Sequence, residues 1–327
     1  GSKTTIIRSD EASSNSDYGK PGMFGADLNA SYYTIEQPYT LMYTTASQAS
    51  YIIETAPSVD FSGNEELRNA YMGEAYFWRA FAHYYLLINF RNISPIRQMP
   101  RNGDDYVRPL EKPAAVWNFI QEDLAHAKEL LPVKGYWDSK NAGRVTKASA
   151  AALLGKAYLY RSGIEQYYGE DKTTFYSEAA KEFGDVIDGK YGTYDLTKNY
   201  ADNFDVAHEN NEESILEFQF LGDVDNAGFN PGLATSGLAF DSRGLMLPGA
   251  GVGYEGVVHN WLYNAFVNSV DKDGYTDIRM FSTMIFNDLD ASIHLRNDNF
   301  NHMKRVEDCD RIRKKLFRHS KVGLVSI

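Results

Sequence analysis

Residue types that could do chemistry recur at a few spacings along the chain, and each can be weighed on its context. Gly251-x-Gly253-x-x-Gly256 has the spacing of a dinucleotide-binding turn, with Asp273 and Asp277 near the distance expected of a ribose-binding acid. Such a turn works between a strand and a helix, where backbone N–H groups face a pyrophosphate. Pro248-Gly249 stands where the strand should be, so a loop is the preferred reading over a phosphate cradle. Asp271-x-Asp273-Gly274-x-x-Asp277 places oxygens at alternate positions, as calcium requires, but its glycine comes too early for an EF-hand loop and no bidentate Glu closes it. A turn held by an Asp277–Arg279 pair is the simpler expectation. Glu65-Glu66 and Glu212-Glu213 are adjacent in sequence, which does not set two carboxyls across a cleft as glycoside hydrolysis needs. His83 lies in an aromatic helical pattern and reads as a packed histidine rather than a ligand. Cys309 is the single cysteine, so an intrachain disulfide and a zinc cluster are excluded. With no H-E-x-x-H, G-x-S-x-G or Cys–His arrangement, we expect no catalytic residues, no cofactor and no metal.

The elements that carry these residues are mostly helices. Ser62 to Phe90 opens on a capping box, Ser62-x-x-Glu65. Behind it Leu67, Tyr71, Ala75, Trp78, Ala82 and Tyr85 recur at helical spacing, while Ala70, Phe77, Phe81, Tyr84 and Ile88 cover the other side. A helix apolar nearly all round needs neighbours on two sides, so it belongs in the middle of an all-helical stack. Before it, Tyr39, Met42, Ala46, Ala49 and Ile53 predict a helix closed by Pro57. After a long loop, Arg91 to Lys112, Pro113 opens a helix lined by Val116, Trp117, Ile120, Leu124, Ala127 and Leu131 and stopped by Pro132. Thr146 caps a further helix ending at Gly163. Its partner, Thr174 to Asp188, turns Ala179, Ala180, Phe183, Val186 and Ile187 inward and stops at Gly189. Glu213 to Leu221 alternates and predicts a strand or extended edge. Gly and Asn then punctuate 223–256, and helical spacing returns at Val258 to Val267. The domain reading is an N-terminal aromatic segment and first helix, 1–61, a tetratricopeptide-like helical region, 62–221, and a loop-rich lobe, 222–327, the kind of region where binding function usually lies.

Length and charge narrow the function. The chain has 327 residues, 43% hydrophobic, and a net charge of −11, which opposes nucleic-acid binding. The basic cluster from Arg311 to Arg318 reads as a solvated tail. No run approaches the roughly 18 apolar residues of a membrane span. Gly1-Ser2 reads as a cloning remnant, so a missing leader carries no information.

A repeat is visible within the helices. Ala151-x-x-Leu154-Gly155-x-x-Tyr158 matches the first-helix signature of a tetratricopeptide unit, and Ala179-x-x-x-Phe183 matches its second helix. Asn69-x-x-Met72-Gly73-x-x-Tyr76 repeats the first pattern. The glycine allows helices to approach closely and the tyrosine fills the groove beside it. We expect an all-α-dominated, tetratricopeptide-like helical-hairpin solenoid with a loop-rich lobe and minor β. In order, SDYGKPGMFGADL, YTTASQASYIIE, GEAYFWRAFAHYYLLINF, RVTKASAAALLGKAYLY, DVIDGKYGTYDL, NNEESILEFQF and the Trp261-to-Phe266 helix with Asp277-x-Arg279 resemble the SusD/RagB family of outer-membrane glycan-capture lipoproteins.

The resemblance covers roughly Ser16 to Phe286 and implies a non-enzymatic, surface-exposed lipoprotein of the outer membrane. It implies a lipid anchor on an N-terminal cysteine and docking on a TonB-dependent, SusC-like transporter that receives the glycan. The family's further helix before SDYG and its last helix are not matched, the chain closing on KKLFRHSKVGLVSI. An incomplete version is therefore expected, with the apolar face of its last helix pair exposed or borrowed from another chain. For the ligand, sugar C–H faces stack on aromatic rings while Asn, Asp and Arg hydrogen-bond the hydroxyls. Tyr71, Tyr76, Trp78, Tyr84, Tyr85, Trp117 and Tyr158 sit at core spacing and are assigned to packing. Tyr39 and Phe229 stand with the loop aromatics. Family sugar contacts come from the N-terminal segment and the loop lobe, and Asn29, Tyr32, Tyr33, Phe240, Arg243 and Tyr254 are expected to converge on a shallow glycan site. Two alternatives remain: a tetratricopeptide-like scaffold binding a peptide or partner protein, and a carbohydrate-active hydrolase with two facing loop carboxylates.

Overall fold

A computed structural model describes residues 12–13, 30, 33–169, 171–204, 206–219, 257–258, 260–270, 272–277 and 279–280. The chain divides into two compact units, one of residues 36–196 and 210–219, the other of residues 1–35, 197–209 and 220–327. The described residues are dominated by helices: α1 Tyr33–Thr55, α2 Glu65–Phe90, α3 Pro113–Leu130, α4 Lys147–Tyr168, α5 Tyr176–Ile187 and α6 Asn260–Asn268.

In the first unit α2 packs on α3, α3 on α4 and α4 on α5. Consecutive helices run antiparallel: the start of α2 meets the end of α3 at Gly73 and Leu131, and Tyr84, late in α2, meets Trp117, early in α3. The core runs through Phe77, Ala80, Tyr84, Leu86 and Leu87 of α2, Val116, Trp117, Ile120, Leu124 and Ala127 of α3, and Ala150, Leu154 and Ala157 of α4. α2 is thus flanked on two sides, by α3 and by α1, whose Ala46 packs with Ala82 and Ile96. Removing a leucine-sized side chain from water contributes about 2 kcal/mol, so this stripe of buried residues dominates the unit's stability.

Both repeat glycines do what their spacing implies. A Cβ on Gly73 would stand 2.9 Å from Leu131 Cγ and 3.0 Å from the Leu131 backbone nitrogen; one on Gly155 would stand 2.9 Å from the Phe183 ring. Tyr76 contacts His126 of α3, and Tyr158 stacks on Phe175 at 5.5 Å. Polar staples cross the same interfaces. Arg79 donates to Asp123 from Nε at 2.7 Å and Nη2 at 2.8 Å, both side chains buried. Burial pushes the Asp123 carboxyl above its usual value, while the Arg79 guanidinium pulls it down. Lys128 of α3 donates to Glu182 of α5 at 2.6 Å.

Several boundaries differ from expectation for local reasons. α2 is capped by Asn64, whose Oδ1 accepts the Leu67 N–H at 3.0 Å; Ser62 instead sits at φ +53 in a turn, its N–H on Asp60. The capping-box reading at Ser62 is therefore corrected. α1 begins at Tyr33, before Tyr39, with Pro38 inside it. α4 has its capping box at Thr146 and Ser149 but continues past Gly163, which no neighbour crowds, to Gly169 at φ +71. In α5, Ala179 and Val186 are buried, but Ala180 is exposed and Ile187 is 79% exposed, so those two inward assignments are overturned. The 213–219 segment forms no strand. It runs through a turn at 212–213 and bends at 215–216, and is held by side chains, as where the Ser149 hydroxyl donates to the Ile215 carbonyl at 3.0 Å.

In the second unit Ala12–Ser13 (β1) pairs antiparallel with Val257–Val258 (β2). α6 ends at a turn in which Val270 bridges Thr276, Gly274 adopts φ +83 and the Asp277 N–H reaches the Ser269 carbonyl at 3.0 Å.

Candidate functional site

The sequence-expected glycan residues fall almost wholly outside the described residues: Asn29, Tyr32, Phe240, Arg243 and Tyr254 all do, as does Gly251-x-Gly253-x-x-Gly256. Tyr33 opens α1. Two other candidates are resolved. The Arg279 guanidinium donates to Asp277 at 2.9 Å and 3.0 Å, so the acidic 271–277 stretch ends in the anticipated ion pair. That pair holds the Asp277 carboxyl below its usual range.

His83 is fully buried and its two ring nitrogens are committed. Nδ1–H donates to the Arg79 carbonyl at 2.7 Å and Nε2 accepts the Ile96 N–H at 2.9 Å. Burial drives its pKa down to about 4, aided by the nearby guanidinium groups of Arg79, Arg97 and Arg108. The ring pins the 91–112 loop to α2, the packing role expected of it. Among the described residues no group of His, Cys, Asp and Glu is arranged to hold a metal ion.

The helical unit carries a mixed cleft of about 250 Å³ that sequence reading did not single out. Glu74 and Trp78, one turn apart on α2, form its floor; Ala142 to Arg144 and Leu216 to Gln219 form its walls. Gly143, at φ +82, lets its loop close on this wall, since a Cβ there would collide with the Gln219 side chain and stand 3.1 Å from the Glu217 carbonyl. Arg144 forms a two-point pair with Glu74, and its guanidinium lies 4.3 Å from the Trp137 ring centre and 4.7 Å from that of Tyr71. The carboxylate keeps this guanidinium firmly protonated. Glu217 accepts the Asn210 N–H and the Ser214 hydroxyl, each at 2.8 Å. Asn210 and Gln219 exchange side-chain amide hydrogen bonds at 3.0 Å and 3.1 Å. Above them Phe218 is 54% exposed, its ring tilted against Trp78 at 5.9 Å and Phe81 at 6.1 Å. The cleft thus offers an open aromatic face beside fixed amide and carboxylate groups: it can stack and hydrogen-bond a polar molecule. The signal that could have found it was the aromatic in NNEESILEFQF, which alternation assigned to a strand.

A second depression of about 370 Å³ is walled by Pro95, Arg97, Gln98, Arg108, Pro109 and Glu111. Its cations are tied into the walls, Arg97 on Glu111 at 2.7 Å and Arg108 on the Asp105 and Gln98 carbonyls, so it reads as loop architecture.

Comparison with known proteins agrees with this fold. A SusD-like family model, described as starch-binding and associating with the outer membrane, matches residues 4–159. A SusD-like protein of Bacteroides ovatus is 29% identical over 180 residues, covering 55% of this chain and 32% of that protein. A SusD superfamily structure from Bacteroides vulgatus superposes with a TM-score of 0.63 over 86% of this chain and 54% of its own, at 23% identity. A laminarin-binding SusD-like protein superposes with a TM-score of 0.61 over 80% of this chain and 57% of its own, at 24% identity. The chain spans about a third of the length of the B. ovatus relative. In helix order, paired glycines and sequence matches alike, the chain is similar to SusD-like proteins over part of its length.

Proposed function

We propose that this chain captures oligosaccharides or polysaccharides at the outer-membrane surface without transforming them, and delivers them to a TonB-dependent, SusC-like transporter. In this reading it is a surface-exposed lipoprotein held by a lipid anchor. The observation that carries the reading is the match, over residues 4–159, to a family described as starch-binding and associating with the outer membrane. The principal ligand site is proposed at Asn29, Tyr32, Tyr33, Phe240, Arg243 and Tyr254, where rings stack on sugar faces and polar groups take the hydroxyls. Capture of this kind is weak per sugar, because a shallow, wet surface recovers little desolvation energy.

The test is retardation of the protein in native gels cast with soluble polysaccharides, paired with an assay for released reducing ends. Retardation by a polysaccharide without new reducing ends is the expected outcome; release of reducing ends would replace capture by hydrolysis. Joint alanine replacement of Tyr32, Tyr33 and Tyr254 should abolish most retardation, and undiminished retardation would remove them from the site. Delivery is tested by co-purification with a SusC-like transporter.

A second reading, a scaffold for a peptide or partner protein, is favoured by exposed apolar side chains on the helices. Leu159 and Tyr160 of α4 and Tyr176 and Ile187 of α5 are each more than two-fifths exposed. It would gain if no polysaccharide retarded a protein with a folded circular dichroism spectrum.

A further inference from the structure

We infer that the cleft on the helical unit is a second saccharide contact, taking a single ring of a neutral glycan on Phe218 and hydrogen-bonding it through the Asn210–Gln219 amide pair. This rests on the glycan-capture reading but assigns binding to residues other than those proposed for the principal site.

Four observations carry it. Phe218 presents more than half its surface to solvent although Trp78 and Phe81 hold its ring from behind, so it is an aromatic face that is both fixed and open. An exposed ring fixed in this way loses little conformational freedom when something stacks on it. The polar groups beside it are pre-oriented: the two amides fix each other's planes, and Glu217 is held by the Asn210 N–H and the Ser214 hydroxyl. Each amide still has an acceptor lone pair or a second N–H to offer, the inventory that a vicinal diol can use. The size also fits. At about 250 Å³ the cleft lies below the usual range of drug-sized pockets, suiting one ring of a chain that continues into solvent. Lastly, Arg144, the cation of the lining, is already paired with Glu74, and the Glu217 carboxylate adds negative charge, so nothing in the cleft selects an anionic ligand.

An extended peptide is the other molecule such a surface could take, by pairing with the 214–219 backbone. The Gln219 side chain already donates to the Glu217 carbonyl at 3.2 Å, and Gly143 packs against that carbonyl, so the edge a peptide would use is engaged.

The experiment is hydrogen–deuterium exchange of the wild-type protein with and without a polysaccharide that retards it, together with affinity gels of Phe218→Ala, Gln219→Ala and the Tyr32/Tyr33/Tyr254 triple variant. Protection of amides 141–144 and 214–219, with affinity lowered roughly threefold to tenfold by Phe218→Ala, is the expected result. If polysaccharide binds and the triple variant loses it, while those amides stay unprotected and Phe218→Ala binds like wild type, the cleft is not a saccharide contact although the capture reading stands. If no polysaccharide in the panel retards the wild-type protein, both fall. Protection by an unstructured peptide but not by polysaccharide would overturn the inference in favour of a peptide groove.

Discussion

At the scale of single residues, the positions with the clearest consequences are those where an atom has no room or a proton no place. Gly73 and Gly155 occupy equivalent positions in two helices, but what they face differs: the backbone nitrogen of Leu131 in one case, the edge of the Phe183 ring in the other. A ring can rotate away while a backbone cannot, so Gly73→Ala should cost about 2–3 kcal/mol and Gly155→Ala clearly less. Paired denaturant titrations check this, and equal losses would contradict the steric account. His83 gives a pH prediction. Its pKa lies near 4 in the folded chain against the usual 6.5, so between these values the unfolded state binds the extra proton. Stability must then fall as pH drops from 6.5 towards 4, by up to about 3 kcal/mol from this group alone. His83→Gln can keep a donor to the Arg79 carbonyl and an acceptor for the Ile96 N–H. It should be less stable than wild type at pH 7 but lose less on acidification. Parallel slopes of melting temperature against pH for the two proteins would rule out the histidine as the source.

At the scale of elements, the helices are tied at their ends as well as along their faces. Glu165 of α4 is fully buried and accepts from Arg91, just past α2, at 2.8 Å and 3.2 Å, and from the Trp117 indole of α3 at 2.8 Å. One carboxylate therefore joins three elements, and Arg91 holds φ +58 to reach it while lying 4.0 Å over the Tyr168 ring. Glu165→Gln retains an acceptor for the indole but removes the charge opposite the guanidinium, and should cost about 2–4 kcal/mol, less than a fully buried pair because Arg91 is partly solvated. Thermal melts followed by tryptophan fluorescence would test it; a loss under about 0.5 kcal/mol, the size of a surface pair, would mean the triad is not a clamp. What made these elements legible in sequence was periodicity bounded by residues with a steric veto: Pro113 and Pro132 around α3, Gly189 after α5. What misled was local chemistry without that veto. Ser62-x-x-Glu65 matches a capping box, but Asn64 is the stronger acceptor two residues on. Gly163 reads as a stop, yet inside a helix with open space beside it a glycine costs only about 1 kcal/mol. SILEFQF alternates like a strand, but alternation states which side faces inward and not whether a neighbouring strand exists, and here Trp78 and Phe81 of a helix take that side. The cleft was invisible for the same reason, being assembled from residues 74–78, 142–144 and 216–219 that no local pattern connects.

At the scale of the whole molecule, charge separates modes of recognition that geometry alone leaves together. The chain carries 44 acidic against 33 basic residues, and in the cleft Arg144 is matched by Glu74. A partner recognised through stacking and hydroxyl hydrogen bonds feels little of the net field, whereas a polyanion must overcome it. In the glycan-capture reading, affinity for a neutral glucan that retards the protein should therefore change by less than about twofold between roughly 0.05 and 0.5 M salt, over which the Debye length contracts from more than 10 Å to about 4 Å. A polygalacturonate or heparin of similar length should bind more weakly at low salt, and approach the neutral glycan only as screening rises. Isothermal titration across the two salt concentrations separates the cases. A steep fall of glucan affinity with salt would mean that charged side chains carry the binding, and would move the search for the site from the aromatic surfaces to the arginine-walled depression beside Arg97 and Arg108.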